Sequence, residues 1–208
     1  MSGLRSKQKA ARERRILDAA VRMFRADGYH SVRIEDLADV AEVSVGTVYN
    51  YYRTKGDILI AVVAMEVEEV LASGAAILAD PPAQADDALL SLIFQYFDHS
   101  LEYLSKDMWR SAMALSIEAP GTPNGQRYRD LDSRLADQVV ALIAVLRQRA
   151  GGAHDLDPQA LGHVVFNVLN QEFIRFVTED TMSLEDLRET VRLQVQPLAR
   201  LIETTTPG

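Results

Sequence analysis

The stretch that decides the fold comprises residues 31–59 and reads SVRIEDLADVAEVSVGTVYNYYRTKGDIL. Apolar residues recur at helical spacing from Ile34 to Ala41, which predicts a short helix with one buried face. Ser31 is its expected N-cap, and carboxylates follow in the first turn, where they suit the helix dipole. Ser44 offers a second cap, and Val45–Tyr51 gives about two turns of a new helix. Two short helices joined by a tight turn form a helix-turn-helix, whose second helix can enter a DNA major groove.

The second of these helices carries side chains suited to reading DNA. Val48 and Tyr52 lie four residues apart and are predicted to face the first helix. The remaining positions are small or carry hydrogen-bonding tips, which can pair with base edges or donate to phosphates. Thr54 is expected to cap the next helix, which places free backbone N–H groups beside a lysine as an anion site. The predicted DNA-contacting residues are Arg33, Ser44, Val45, Gly46, Thr47, Tyr49, Asn50, Tyr51 and Lys55.

The order of residues in this helix resembles the TetR family of transcriptional regulators. The shared pattern is threonine, a hydrophobic residue, tyrosine, any residue and two aromatics, here Thr47-Val48-Tyr49-Asn50-Tyr51-Tyr52. Gly46 before the pattern and Lys55 after it also match, and the close match covers roughly the first third of the chain. The chain departs from the family at Glu42, where glycine is usual, and this predicts a strained or altered turn.

The amino-acid composition limits the classes of protein to which the chain can belong. The chain has 208 residues, of which 48% are hydrophobic, enough for one mid-sized domain or two small ones. Because cysteine is absent, a disulfide framework and a cysteine metal site are excluded, which fits a reducing compartment. The chain begins without an apolar run, and no stretch reaches membrane-spanning length. The expected localisation is therefore cytoplasmic, with no membrane partner.

The net charge of −8 is unevenly distributed. Residues 1–60 hold 11 Lys and Arg against 8 Asp and Glu, whereas the remainder holds 11 against 22. Salt screens charge beyond about 8–10 Å, so the attraction of DNA phosphates is local. The basic end, including Arg12, Arg14 and Arg15 near the start of the first helix, is therefore compatible with DNA binding.

The whole chain is predicted to be all-α, with about nine helices. A three-helix helix-turn-helix DNA-binding domain is expected over residues 1–54, and a larger helical domain for ligand binding and dimerisation over residues 55–208. Residues 1–6 are expected to form a mobile arm, and Pro197 to kink or end the last helix. The other predicted helices span about 7–27, 55–78, 86–106, 107–117, 127–149, 158–179 and 184–202, and Asp107 is the expected N-cap of the helix over 107–117.

Resemblance to the family implies a homodimer through the last two helices and a small-molecule pocket in the larger domain. Residues 159–179 are apolar over nearly half the helix circumference, which is more than one contact face needs. A carboxylate on that apolar arc, Glu172, is expected either to bind a ligand donor or to pair with an arginine in the core or across the dimer. The candidate pocket residues are Phe94, Phe97, Tyr103, Trp109, Met113, Phe166 and Glu172. They suggest a largely apolar or aromatic effector.

The expected function is a ligand-responsive repressor that a small molecule releases from a palindromic double-stranded DNA operator. The alternative is a helical adaptor that binds ligand or protein without operator DNA. Catalysis is not expected, because glycine-rich phosphate loops, nucleophile motifs and metal-spaced residue sets are missing. The sequence accordingly predicts no catalytic residue, no metal site and no cofactor.

Overall fold

The computed structural model describes residues 2–151 and 156–203, with side chains from residue 6 onward. Within these ranges the chain forms nine α-helices and no strand, as the apolar periodicity predicts. The helices are α1 (Ser2–Asp27), α2 (Ile34–Val40), α3 (Val45–Tyr51), α4 (Lys55–Ala79), α5 (Ala85–His99), α6 (Lys106–Glu118), α7 (Pro123–Arg149), α8 (Pro158–Thr178) and α9 (Leu184–Glu203).

Several helix ends follow from local chemistry. Gly28, at φ +82°, ends α1 in a left-handed conformation that only glycine adopts freely, and its N–H donates to the carbonyl of Phe24. The Asp157 carboxylate accepts from the N–H of Gln159, and Pro158 fits the first turn of α8, where proline's missing N–H has no helical partner. These ends could be predicted because each depends on neighbouring residues only.

Two predicted N-caps are wrong. Arg33 occupies the cap position of α2 without a side-chain hydrogen bond, while the N–H of Ser31 closes a turn onto the carbonyl of Gly28. Ser105, not Asp107, caps α6, because its hydroxyl accepts from the N–H of Met108. In both cases the cap position lies two residues from the predicted one.

Other boundaries also differ from the prediction. α1 begins at Ser2 rather than at Lys7, so the expected arm is helical in its described part. The apolar segment 86–106 is helical only as far as His99. α7 begins at Pro123, four residues early, because the Thr122 hydroxyl accepts from the N–H of Gly125. A side chain at Gly125, in the first turn of α7, would lie 2.6 Å from the carbonyl of Ala119, so this position requires glycine.

Pro197 neither ends nor shortens α9, which continues to Glu203. Proline removes only the N–H that would reach the carbonyl of Leu193, and both residues are exposed to water. On the opposite face Val195, Ala199 and their apolar neighbours are buried and hold the helix in place. Tertiary packing therefore outweighs the local cost of proline here.

The chain divides into two compact units, and α4 and α7 contribute to both. The first unit comprises Met1–Glu66 and Glu102–Arg129. Its core contains large, fully buried side chains from α1, α2 and α4, together with one residue of the loop before α6. They are Ile16, Phe24, Leu37, Ile58, Leu59, Ile60 and Leu104.

The second unit comprises Val67–Leu101 and Asp130–Gly208. In it α9 packs against α5 and α8. A side chain at Gly162 of α8 would lie 2.8 Å from the Cα of Val140 in α7, so these two helices meet at backbone distance. At the end of α9, the Glu203 carboxylate accepts from the N–H of Ala85, and so caps α5 from a distant part of the sequence.

None of the helices in the described ranges combines the length and the apolar content needed to cross a membrane.

Candidate nucleic-acid interface

The turn between α2 and α3 has the strained geometry that its sequence predicts. Glu42 adopts φ +53°, in the left-handed region that favours glycine. The turn is closed by two backbone hydrogen bonds, from Glu42 N–H to the Asp39 carbonyl and from Val43 N–H to the Ala38 carbonyl. The Glu42 carboxylate lies 3.6 Å from the guanidinium of Arg15 on α1.

Ser44 fixes the start of α3. Its hydroxyl oxygen accepts from the N–H of Thr47 at 3.1 Å, and the hydroxyls of the two residues lie 2.8 Å apart. The predicted N-cap is therefore confirmed, and it also orients the Thr47 side chain.

α3 is buried on one side and open on the other. Val48 is fully buried and Tyr52 nearly so, as the four-residue spacing predicts. The Tyr52 hydroxyl donates to the carboxylate of Glu13. Burial is the larger cause that raises the pKa of Tyr52, and the negative charge of Glu13 is the second. Among the predicted DNA-contacting residues of this segment, Ser44, Gly46, Tyr49 and Asn50 are exposed, whereas Val45, Thr47 and Tyr51 are half-buried.

Two of the predicted contacts already have partners inside the protein. The Tyr51 hydroxyl donates to the carbonyl of Lys9 at 3.1 Å. Lys55 donates to the carbonyls of His30 and Val32, and its ammonium lies 4.8 Å from the centre of the Tyr29 ring. Partial burial lowers the pKa of Lys55. In this structure Lys55 therefore holds the segment between α1 and α2.

The start of α4 is capped as predicted, with an addition that the sequence did not indicate. The Thr54 hydroxyl accepts from the N–H of Asp57, and the Asp57 carboxylate accepts from the N–H of Thr54. The second oxygen of Asp57 accepts from the side-chain amide of Asn124 in α7, at 2.6 Å. A carboxylate thus occupies the turn where an anion site is expected, which weakens its attraction for phosphate.

Arg33 is exposed beside the first turn of α2, and its Nε lies 3.5 Å from Glu35. An ion pair between such exposed groups is weak and leaves the guanidinium available to a phosphate.

A groove of about 430 Å³ lies beside α3 and was missed from the sequence. It is lined by residues of α1 and α3, namely Gln8, Lys9, Arg12, Thr47, Asn50 and Tyr51. The spacing of its α1 members places them on one helix face, which is a usable sequence signal. That this face would lie beside α3 follows only from tertiary packing.

Comparison with known proteins identifies the family. The family model described as "Bacterial regulatory proteins, tetR family" matches residues 16–62, which contain the whole helix-turn-helix. The transcriptional regulator RutR of Escherichia coli O157:H7 is 31% identical over 170 residues, covering 80% of this chain and 74% of RutR. The chain belongs to the TetR family of transcriptional regulators.

Other TetR-family proteins are similar along most of their length. The repressor KstR of Rhodococcus jostii is 29% identical over 202 residues, covering 94% of this chain and 86% of KstR. The crystal structure of the repressor FadR of Thermus thermophilus, in complex with lauroyl-CoA, shares the fold with a TM-score of 0.64 and 22% identity. It aligns over 94% of this chain and 96% of that one. The all-α architecture and the DNA-binding regulatory function predicted from the sequence are thereby confirmed.

The predicted pocket residues of this TetR-family chain fall in different units. Tyr103, Trp109 and Met113 belong to the first unit, where Trp109 is buried and the other two are half-buried. Phe94, Phe97, Phe166 and Glu172 belong to the second.

In the second unit the aromatic residues have defined neighbours. The Phe97 ring stacks parallel to that of Phe173, with centroids 6.1 Å apart. Phe94 lies beneath the guanidinium groups of Arg188 and Arg192, at 5.9 and 5.4 Å from its centroid. These contacts give each ring a packing role within its own unit.

Glu172 has partners within the chain. One carboxylate oxygen accepts from the side-chain amide of Gln194 at 2.9 Å, and the other lies 3.5 Å from the guanidinium of Arg175. Arg175 is an exposed residue of the same helix, three positions after Glu172, so the alternatives of a ligand donor, a core arginine and an arginine across the dimer stay predictions. The second oxygen is buried and makes no hydrogen bond in the described part of the chain.

Proposed function

We propose that this protein is a cytoplasmic homodimeric repressor, without catalytic activity, that reads a palindromic operator with the α3 helix of each subunit and leaves it when a small molecule binds. The observation that carries the proposal is the geometry of α3. Ser44 caps the helix, Val48 anchors it in the core, and Tyr49 and Asn50 remain exposed. A rigid helix with polar tips on its open side is what base reading in a major groove requires.

Each proposed contact residue of α3 and its surroundings suits a particular kind of contact. The Asn50 amide can form two hydrogen bonds with an adenine, and the Thr47 methyl can contact a thymine. A side chain at Gly46 would meet the Ser44 hydroxyl at 4.0 Å, and the bare glycine allows the backbone to approach the duplex closely. Val45 lines the same approach, while Ser44, Tyr49 and Arg33 have donors that can reach phosphate oxygens.

The proposed dimer uses α8 and α9. Large apolar side chains are exposed on both helices, and contact with a second copy would remove them from water. They are Val164, Ile174, Leu193 and Leu201. A twofold axis through these helices would place one α3 helix of each subunit against the DNA. The two α3 helices would then read half-sites one helical turn apart, about 34–36 Å.

We propose residues 1–54 as the DNA-reading domain and residues 55–208 as the domain for effector and dimer contacts. α4 continues from Lys55 to Ala79, so it contributes to both units. A ligand that favours one arrangement of this helix would shift the population of DNA-binding dimers by its differential affinity for the two states.

We propose a largely apolar effector, held in the second unit by Phe94, Phe97, Phe166 and Glu172. Support comes from the aromatic content of this set and from the FadR structure of the same fold, which contains lauroyl-CoA. A melting screen with acyl-CoAs and other apolar metabolites tests this part, because a ligand that binds only the folded state raises the melting temperature.

The test of DNA reading begins with selection of a duplex from a random-sequence pool by the full-length protein. Tyr49→Ala and Asn50→Ala are expected to weaken binding to the selected duplex, by about tenfold or more for Asn50, since one bidentate base contact is worth about 1–3 kcal/mol. Val40→Ala is the matched control, because Val40 is exposed on α2 and lies outside the proposed contact set. Failure to enrich any sequence at moderate salt would refute operator binding and favour the adaptor function.

A further inference from the structure

The groove between α1 and α3 contains two cations that no described carboxylate neutralises. Lys9 and Arg12 line it, and neither forms an ion pair within residues 6–151 or 156–203. Further along α1, by contrast, Arg14 pairs with Asp18 at 2.9 Å. The structure thus distinguishes among basic residues that the sequence grouped together as possible DNA contacts.

The two walls of the groove are connected directly. The Tyr51 hydroxyl at the end of α3 donates to the backbone carbonyl of Lys9 on α1. This bond fixes the distance between the recognition helix and the turn of α1 that contains Gln8, Lys9 and Arg12. The cations are consequently held beside α3 rather than on an independent arm.

The position of the groove indicates what it binds. Thr47 and Asn50 line its α3 wall and are also the residues proposed to face base edges. In a duplex, the sugar-phosphate backbone borders the major groove that α3 would enter. A polar, cationic surface beside the base-reading residues is therefore placed to contact phosphates.

We infer that this groove receives a sugar-phosphate segment of operator DNA in each half-site, with Gln8, Lys9 and Arg12 as its phosphate contacts. Tyr51 is a positioning residue that acts through Lys9 and does not read a base. The inference rests on the proposed function and adds to it a second contact surface on α1. Phosphate contacts of this kind set the register and strength of binding without adding sequence preference.

The test measures the salt dependence of binding by Lys9→Ala and Arg12→Ala in the full-length protein. Each phosphate contact contributes about 0.9 to the slope of log affinity against log salt. A dimer loses two contacts per substitution, so the slope should fall by about 1.8 for each variant and about 3.6 for the double variant. Between 50 and 200 mM NaCl, the wild type should then lose roughly twelvefold more affinity than either single variant and about 150-fold more than the double variant.

The probes are the duplex selected by the wild type and an unrelated duplex of the same length. Both should show the reduced slope, because Lys9 and Arg12 are proposed to contact phosphates and no base edge. Arg22→Ala is the matched control, since Arg22 is an exposed cation of α1 that does not line the groove. It should retain the wild-type slope.

Tyr51→Phe tests the positioning role. Loss of the hydroxyl should reduce the slope in the wild-type background and leave it unchanged in the Lys9→Ala/Arg12→Ala background. A variant that was merely less stable would lower the active fraction of protein without changing the slope.

Wild-type slopes for Lys9→Ala and Arg12→Ala, with selective binding intact, would overturn the groove assignment and leave the proposed function standing. Absence of selective binding by the wild type would instead overturn the proposed function. An unchanged slope for Tyr51→Phe alone would remove Tyr51 from the inference.

Discussion

Replacing Glu42 with glycine should stabilise the helix-turn-helix without adding any contact. Glu42 is a non-glycine residue at φ +53°, in the tight turn between α2 and α3. Its side chain is mostly exposed, and its nearest charged group is the Arg15 guanidinium at 3.6 Å. The substitution therefore changes backbone strain and one weak surface ion pair.

The expected magnitude follows from three contributions. A left-handed conformation costs an L-residue about 1–2 kcal/mol, and glycine removes that cost. Glycine loses about 0.5–1 kcal/mol more backbone entropy on folding. Because both members of the ion pair are exposed, its loss costs at most about 0.5 kcal/mol. The net gain for Glu42→Gly is then about 0.5 kcal/mol, or about 1–2 °C in melting temperature for a chain of this length.

The assay is urea denaturation of Glu42→Gly and Glu42→Gln under identical conditions. Glu42→Gln keeps the backbone cost and removes the charge, so the difference between the two variants is the strain less the entropy cost of glycine, at about 0.5–1 kcal/mol. A Glu42→Gly protein less stable than Glu42→Gln, with equal urea dependence, would refute the reasoning that this turn is strained.

Three further predictions concern stability. Ser44→Ala should cost about 1 kcal/mol by removing the cap on Thr47 N–H, and Ser44→Asp should restore most of it, as thermal melting would show. Gly162→Ala should destabilise by about 1 kcal/mol in urea, because overpacking against Val140 outweighs the gain in helix propensity. Burial raises the pKa of Asp132 to about 6, so the native state keeps a proton that the unfolded chain releases near pH 4. Stability should therefore fall by roughly 2 kcal/mol as pH rises from about 4 to 6, and Asp132→Asn should flatten that fall in urea titrations at several pH values.

The helix-turn-helix could be predicted from the sequence because its determinants are local. Ser44 precedes the helix that it caps, and Val48 and Tyr52 share one face by spacing alone. Glu42 predicted a strained turn, because only glycine adopts the backbone conformation of this position without cost. For such features a few consecutive residues contain the whole physical cause.

Other differences have causes that lie far apart in the chain. Lys55 was expected to contact a DNA phosphate. In the structure its ammonium donates to the backbone carbonyls of residues 30 and 32, far from it in the sequence. Pro197 was expected to disturb α9, but burial of the opposite face maintains the helix. The α1 wall of the groove becomes significant only once Tyr51 reaches Lys9. No window of neighbouring residues contains that information.

The segment from Glu102 to Arg129 has a consequence for engineering. It belongs to the same compact unit as the helix-turn-helix, and its Glu102 carbonyl and Asn124 amide bond to Arg25 and Asp57. A chimera that transplants only the N-terminal headpiece would sever these bonds and expose a formerly covered surface. A transferable DNA-reading cassette for sensors of new specificity therefore has two pieces, and the second must be grafted together with the first.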